Sequence, residues 1–595
     1  MPFDGIAIRT VCQELDHDLG NARIDKIHQP EKDEIVFLIR APGSKPRRLL
    51  ISANPRWARM HYCEQRKENP SNPPAFCMLL RKYLEGGKIK AIKQVDFERI
   101  VHIYIEALDE FREWNTRVLV CEFMGRHSNI ILINPENQII LDAIKKYGSD
   151  LSSYREVLPG KNYINPPDQG KLNPLSCSFT DFVQLMWKQE TDCTLSSALF
   201  KVLSGISPFS AREICQATGI DPDVPVEECA EFEFSSIFKQ VQKTIAAIDD
   251  GQFETRLLYK NHQPWEFVVS LPSPPPSGIK SVVYPGANSG IDAYYQQRLD
   301  KIRLDSSKTN ITRTIKSVLD KAYRKRFLQE GDKSKALENE KYKTWGELLT
   351  SYAHQFQKGD TVAQLEDFYS GEPVTINLDP RYTPIQNAQR YFKIYNKSRS
   401  ALRHLENLMA RNQQDIDYLE SVLVAIKQAE NMSELDEIIE ELEKEDYLKE
   451  HGKRKKQQQR SEPRTFISSD GLEIMVGRNN RQNDILTLKQ ARGHDLWLHA
   501  KDIPGTHVIV KLPPSLTSIH DVPDQTLEEA ANLAAYFSKA QESSKVPVDY
   551  TFRANVRKPG GARPGMVIYD NYWTIMASPR EASRVNHGDS PRGLA

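Results

Sequence analysis

ALRHLENLMARNQQDIDYLESVLVAIKQ, residues 401–428, is the stretch that decides the architecture. Leu405, Met409, Asn412, Ile416, Leu419, Leu423 and Ile426 recur at alternating spacings of four and three, and Leu402 extends the series backwards. That period puts one apolar stripe on a helix over about three heptads, the pattern of a coiled-coil seam. Asn412 occupies a seam position, where a buried polar group fixes register at some cost in stability. Upstream, a polar helical tract carries Ile311, Ile315, Val318 and Ala322 at spacings of four, three and four. Between the two lies DTVAQLEDFYSGEPVTINLDP, with strand and turn chemistry around Gly371. Two long helices flanking a small insert predict an antiparallel coiled-coil arm with a folded cap. Two separate helices lying on globular domains is the alternative. The charged residues flanking the seam favour the solvated arm.

Outward from the arm, the chain reads as an α+β multidomain protein. Residues 1–172 form an α+β domain. IVFLIR, RRLLIS, IVHIYIEA and TRVLVCEF read as strands, NIILINPENQIILDA as a hairpin turning at Asn134–Asn137, and PPAFCMLLRKYLEGG as a helix. Residues 173–260 turn helical. ALFKVLSGISPFSAREICQATGI holds two apolar helices around Ser204–Pro208, a helix-hairpin-helix pattern whose glycine turn can offer N–H groups to a phosphate; an ordinary helical hairpin is the competing reading. LPSPPPSGIK marks a boundary, and the coil with its middle domain occupies 261–455. HGKRKKQQQR, 451–460, reads as a basic connector. Residues 456–595 form a second α+β domain, with a hairpin at Asp470-Gly471, strands DLWLHAKD and THVIVKL, an Ala-rich helix from Glu528 to Ala540 and a polar tail after Ser583.

Composition bounds the function. The 595 residues include 80 Lys and Arg against 80 Asp and Glu, so a polyanion site has to be a local basic patch offset by acid elsewhere, as in Asp221–Glu233 and Glu434–Asp446. No apolar run approaches the ~20 residues that span a bilayer, and no secretory signal is visible, which predicts a cytoplasmic protein without a membrane partner. The eight cysteines form no CxxC pair and read as reduced, buried thiols.

Several residues can carry chemistry. Arg81, Lys82, Lys88, Lys90, Lys93 and Arg99 cluster among Phe76, Tyr83 and Phe97, with Arg126 and His127 as a second group. Such a mixture can track a phosphate backbone, although scattered lysines more often mark a solvated helix face. Arg99 and Arg126 sit at strand ends, where a guanidinium fork is held stiffly. His494, His499 and His507 share one tract with Trp497. Their spacing matches no metal-ligand pattern, so the expectation is RNA recognition with Trp497 as a stacking face, beside a basic rim of Arg553, Arg557 and Lys558. Ordinary strand-edge polarity is the alternative. Pro2 can become an N-terminal amine nucleophile, as in formamidopyrimidine-type DNA glycosylases, but Phe3 stands where those enzymes carry Glu and no zinc ligands appear. No cofactor or metal is expected, and no nucleotide-binding or hydrolase fingerprint is present.

FDG (Phe3–Gly5), IDKIHQP (Ile24–Pro30), ENPSNPPAFCMLLRKYLEGG (Glu68–Gly87), EFMGRHSNIIL (Glu122–Leu132), LSGISPFSAREI (Leu203–Ile214), GRNNRQND (Gly477–Asp484), HDLWLHAKDIPGTHV (His494–Val508) and KPGGARPGMVIYD (Lys558–Asp570) together resemble the NFACT family across nearly the whole chain. The resemblance implies the order NFACT-N, helix-hairpin-helix, coiled coil with middle domain and NFACT-R, in the bacterial branch that lacks the eukaryotic C-terminal domain. It implies a non-enzymatic adaptor that binds obstructed large (50S) ribosomal subunits carrying peptidyl-tRNA. There it recruits alanyl-tRNA, so that the stalled chain gains an alanine tail marking it for degradation. The implied partners are tRNA, chiefly tRNA-Ala, 23S rRNA and a small RNA-binding protein of the RqcP type. The implied tRNA-binding residues are Asp4, Glu98, Arg99, Glu122, Arg126 and His127. Glu98 stands where the family carries Asp, keeping the charge and adding a methylene; beside Arg99 it can orient the guanidinium towards RNA. A nucleic-acid-processing enzyme of glycosylase-like ancestry and a fibronectin-binding surface adhesin are the alternatives.

Overall fold

The computed structural model describes residues 3–109, 111–190, 192–261, 263–270, 278–449, 461–516, 518–579 and 586–587. Pro2, most of the proline-rich boundary, the basic connector 451–460 and most of the tail after Ser583 lie outside these residues. The chain divides into two units, Met1–Leu299 and Asp300–Ala595.

The first unit opens with α1 (Gly5–Leu19), followed by β1 (Arg23–Glu31), β2 (Glu34–Arg40), β3 (Arg47–Ser52), β4 (Arg59–Tyr62), α2 (Ala75–Leu84), β5 (Lys88–Gln94), β6 (Ile100–Leu108), β7 (Trp114–Glu122), β8 (Asn129–Asn134) and β9 (Ile139–Ala143). The strands make a nine-stranded sheet in the order β4-β3-β2-β1-β5-β6-β7-β8-β9. β1 and β5 share one register pair, Arg23 with Lys88, extended by backbone hydrogen bonds between residues 21–24 and 86–89, so a short antiparallel contact joins the two halves of the sheet. β1 escapes a reading by apolar alternation because Lys26, His28 and Pro30 share its outer face, while Ile24 and Ile27 are fully buried on the other.

Helices α3 (Phe179–Trp187), α4 (Leu195–Val202), α5 (Pro208–Ala217) and α6 (Glu231–Asp249) follow, then a three-stranded sheet of β10 (Glu254–Lys260), β11 (Gln263–Ser270) and β12 (Lys280–Tyr284). Phe3, Phe37, Phe97, Leu199, Ile214, Phe234, Leu257 and Tyr294 belong to one continuous core. The helical segment thus shares its interior with the sheet that precedes it.

α7 (Ala287–Glu338) spans the division between the units, and α8 (Lys341–Ser351), β13 (Val362–Glu366), β14 (Pro373–Asn377), α9 (Pro384–Gln428) and α10 (Met432–Lys444) come next. Contacts between α7 and α9 join Lys308 to Lys427, Tyr323 to Glu420, Arg326 to Gln413 and, just past α7, Asn339 to Ser398. One partner's number climbs as the other's falls, which is antiparallel pairing. The cap is the β13–β14 hairpin, packed with α8 and α9 around Leu348, Ala363, Ile376 and Ala388. The seam is less uniform than its spacing implies: Ile416, Leu419 and Ile426 are buried, whereas Leu405 and Met409 are half-buried. α9 also carries a second buried face, Tyr418, Val422 and Ala425, in one cluster with Leu435, Ile438, Ile439 and Leu442 of α10. The run Glu434–Asp446, which reads as an acid reservoir, is therefore mostly an amphipathic helix.

The C-terminal elements are β15 (Arg464–Ile467), β16 (Glu473–Val476), α11 (Asn480–Ile485), β17 (Leu496–Ala500), β18 (Val508–Val510), α12 (Asp524–Tyr536), β19 (Val546–Phe552), β20 (Val556–Arg557), β21 (Ile568–Tyr569), β22 (Trp573–Ala577) and β23 (Asn586–His587). Seven of the strands form a sheet in the order β22-β19-β17-β18-β16-β15-β23. α12 covers one face, its fully buried Ala530, Ala531, Ala534 and Ala535 allowing close approach to Leu496, Leu498 and Val548. It starts and ends four residues earlier than its alanine content predicts.

Candidate nucleic-acid interface

Three loops meet at one end of the first sheet: the entry to α1, the turn between β5 and β6, and the α4–α5 turn. Gly5 donates its N–H to the Gly205 carbonyl at 2.6 Å. A Cβ on Gly5 would lie 2.7 Å from both Gly205 Cα and the Phe97 carbonyl oxygen, so the backbones approach closely because neither glycine has a side chain. Asp4, only 4% exposed, accepts from Ala7 N–H at 3.1 Å as the α1 N-cap, from Ser207 N–H at 3.2 Å and from Ser210 Oγ at 2.5 Å. Its carboxylate is committed to holding α1 and α5 together, which corrects its expected place as an RNA contact. The α4–α5 turn is likewise packed on the protein: Gly205 lies against Phe97, and the Ser207 N–H that a phosphate would need is given to Asp4.

Glu122 is a second correction. It is completely buried at the end of β7, where Arg155 grips it with Nη1 at 2.7 Å and Nη2 at 2.6 Å and the Tyr163 hydroxyl donates at 3.0 Å. Burial and the neighbouring carboxylate push the Tyr163 phenol well above its ordinary range. A carboxylate satisfied by a bidentate guanidinium and a phenol is a packing device, inaccessible to RNA.

Arg99 differs from both. It is half-buried, and its carbonyl accepts from Phe123 N–H at 2.9 Å, which holds the β5–β6 turn beside the 3₁₀ turn Gly125–His127. Glu98 does not pair with it; the Glu98 carboxylate accepts from the Ser204 hydroxyl. Among the described residues, neither Arg99 nor Arg126 forms an ion pair with a carboxylate. Arg126 and His127 are exposed, with Arg126 Nε 2.9 Å from His127 Nε2. Lys171, absent from the sequence expectations, belongs here too. Its Nζ donates to the Phe200 carbonyl at 2.8 Å, and its pKa is lowered by burial and then by the Arg99 charge, with Glu98 opposing. The result is a rim of three cations, Arg99, Arg126 and Lys171, with the His127 ring accepting from Arg126, around a rigid three-loop junction. The wider expected cluster dissolves: Phe76 and Phe97 are core residues, Lys90 pairs with Glu106 at 3.0 Å, and Arg81 donates to the Ile27 carbonyl at 2.8 Å.

In the C-terminal sheet the expected stacking face is turned inward. Trp497 is fully buried, flanked by the His499 ring at 5.8 Å, the His507 ring at 5.3 Å and Tyr569 at 4.7 Å. His507 is 2% exposed, lies 2.7 Å from Thr487 Oγ1 through Nδ1, and burial pushes its pKa down to about 3. His499 is half-buried with its pKa lowered mainly by desolvation, and His494 Nε2 lies 3.2 Å from the Leu512 carbonyl oxygen. Much of the basic rim is engaged: Arg553 with the Thr487 carbonyl, Arg557 with Asp570 and Lys558 with Asp484. Exposed rings lie elsewhere, on edge strand β22 and the turn before it. Trp573 is 40% and Tyr572 46% exposed, and Lys501 Nζ lies 5.1 Å from the Tyr572 ring centroid. Rings beside a cation suit unpaired bases. The WT in NYWTIMAS signals a strand, but its position at a sheet edge is a property of topology.

The model for the NFACT N-terminal and middle domains matches residues 4–461, and the NFACT protein RNA-binding-domain model matches residues 463–571. The Rqc2 homolog RqcH of Bacillus subtilis is 35% identical over 588 residues, spanning 97% of this chain and 98% of that protein. The Rqc2 homolog RqcH of Streptococcus suis is 35% identical over 582 residues, spanning 98% and 99%. Among solved structures, the C-terminal part of the fibronectin/fibrinogen-binding protein from Streptococcus suis is 36% identical, covers 47% of this chain and 96% of that one, and superposes with a TM-score of 0.37.

Proposed function

This chain belongs to the NFACT family, and from that premise we propose that it is a ribosome-associated quality-control factor. It binds the obstructed large subunit that still carries peptidyl-tRNA and recruits alanyl-tRNA, so that the stalled chain is extended by alanine and marked for degradation. The observation that carries this reading is the rim at Arg99, Arg126, His127 and Lys171, whose two arginines have no carboxylate ion pair among the described residues. Phosphates neutralise such cations and fix orientation without reading sequence, which suits a protein that positions a tRNA while the ribosome forms the peptide bond. Near full-length similarity to two proteins named Rqc2 homolog RqcH, and the match of 463–571 to an RNA-binding domain, support it.

In this reading the chain is an adaptor without a catalytic group, working in the cytoplasm with 23S rRNA and a small RNA-binding protein of the RqcP type as neighbours. No described helix is long and apolar enough to cross a membrane. Co-sedimentation of the tagged chain with 50S particles and sequencing of the bound RNA provide the test. One enriched tRNA species is expected, with its recovery falling at least tenfold in Arg99→Ala while subunit binding persists. Unchanged tRNA recovery in that variant would remove the rim from the mechanism.

A further inference from the structure

The register of β1, β2 and β3 sets two rows of side chains across the sheet face that points away from the core. His28 pairs with Val36, which pairs with Leu50; Lys26 pairs with Leu38, which pairs with Arg48. The alternate row, Ile27, Phe37 and Leu49, is fully buried on the opposite face. The segment after β4 brings Gln65, Arg66, Lys67 and Asn69 alongside, enclosing with the two rows a cleft of about 270 Å³.

Its charge is one-sided. No Asp or Glu lines it. Lys67 is offset by Glu31 at 3.1 Å and by Glu34, but among the described residues Lys26, Arg48 and Arg66 form no ion pair with a carboxylate. Arg48 is steadied by donating from Nη1 to the Glu64 carbonyl at 3.2 Å, a contact that orients the guanidinium without neutralising it. His28 has its pKa lowered by burial and then by Arg81, Lys26 and Arg66, against Glu85, so it faces the cleft as a neutral imidazole. Scattered surface lysines usually point into solvent. Here the cations stand over apolar Val36 and Leu38 in a concave site, and like charges brought together are offset when an anion enters.

We propose that this cleft is a phosphodiester-binding site for a single-stranded segment of RNA, with Lys26, Arg48 and Arg66 on the phosphates and Val36 and Leu38 beneath a sugar or base. It shares no residue with the rim at Arg99. RNA as the carrier of the phosphates rests on the quality-control reading; the preference for a phosphodiester rests on the cleft itself.

The test is fluorescence anisotropy of a labelled oligouridylate with the purified full chain across a salt series. Reversing the exposed Lys26 and Arg66 together (Lys26→Glu with Arg66→Glu) is expected to weaken binding tenfold or more. It should also lower the slope of log affinity against log salt by about 1.4, the release expected for two phosphates on a single strand. Unchanged affinity and slope would overturn the proposal. A polyglutamate peptide that loses affinity while the oligonucleotide does not would overturn it in favour of an acidic partner. Inorganic phosphate competing in the wild type, with no effect of the reversal on RNA, would overturn it in favour of a small-anion site. Failure of the quality-control reading looks different. The chain would then not co-sediment with 50S particles, whereas the reversal variant would still lose oligonucleotide affinity.

Discussion

Asn412 donates from Nδ2 to the carbonyl oxygen of Ala322 across the coiled coil at 3.0 Å. The amide is 3% exposed, and sliding α9 along α7 would leave it without this acceptor in an apolar seam. It therefore specifies register. Asn412→Ala is expected to cost about 1 kcal/mol. Asn412→Leu should be at least as stable as the wild type but looser in register. The distance between spin labels attached at Arg326→Cys and Gln413→Cys, on facing helices whose present side chains meet at 2.9 Å, reads the register directly. The same distance distribution with and without Asn412→Leu would show that the amide does not set it.

Glu122 and Arg155 form a closed pair, so their variants should act on stability before RNA. Glu122→Ala strands a guanidinium that is 7% exposed and is expected to cost about 3–5 kcal/mol in chemical denaturation. Replacing both partners, Glu122→Leu with Arg155→Met, should recover most of that loss because no charge is left unpaired. A Glu122→Ala chain as stable as the wild type, yet defective in tRNA recovery, would return Glu122 to the interface.

These cases show what a single sequence can carry. The coil, its insert and most strands of the first sheet were legible because period is a local property. Asp4, Glu122 and Trp497 were not, because a motif shows that a position matters without showing whether it faces solvent or core. Each of the three proves to be packing: a helix cap, a buried ion pair and a core indole. Arg99 was legible as a stiffly held strand-end arginine, but its companion Lys171 comes from the loop before α3, and only the shared core brings the two together. β1 was missed because its outward row carries Lys26 and His28, the residues that make the outer cleft.

Gly205 separates a close-packing requirement from a conformational one. Its φ is +70°, and a Cβ there would overlap the Phe97 carbonyl oxygen. Gly43 has a similar φ of +74° with nothing within 4 Å. Gly43→Ala is expected to cost about 1 kcal/mol from left-handed strain alone. Gly205→Ala adds displacement of the β5–β6 turn and should cost about 3 kcal/mol or more. Thermal unfolding of the two variants makes the comparison, and equal shifts would mean that the three-loop junction is more compliant than its contacts imply.

Glu441 makes the stability of the second unit pH-dependent in an unusual direction. It is 4% exposed, accepts from the Tyr418 hydroxyl at 2.9 Å, Asn480 Nδ2 at 3.3 Å and Arg481 N–H at 3.0 Å, and burial raises its pKa to about 7. Below the ordinary carboxyl value of 4.5 both folded and unfolded chains hold the proton. Between 4.5 and about 7 only the folded chain does, so Glu441's contribution declines as pH rises through that window and is lost above it. Glu441→Gln keeps an oxygen acceptor for Tyr418 and carries no charge at any pH. It gives up the acceptor for Arg481, which adds a constant offset. Melting curves of variant and wild type from pH 4.5 to 8.5 should therefore diverge in the variant's favour as pH rises. Parallel curves would mean that the carboxylate is ionised at little cost, and that the Tyr418–Asn480–Arg481 donor set outweighs its burial.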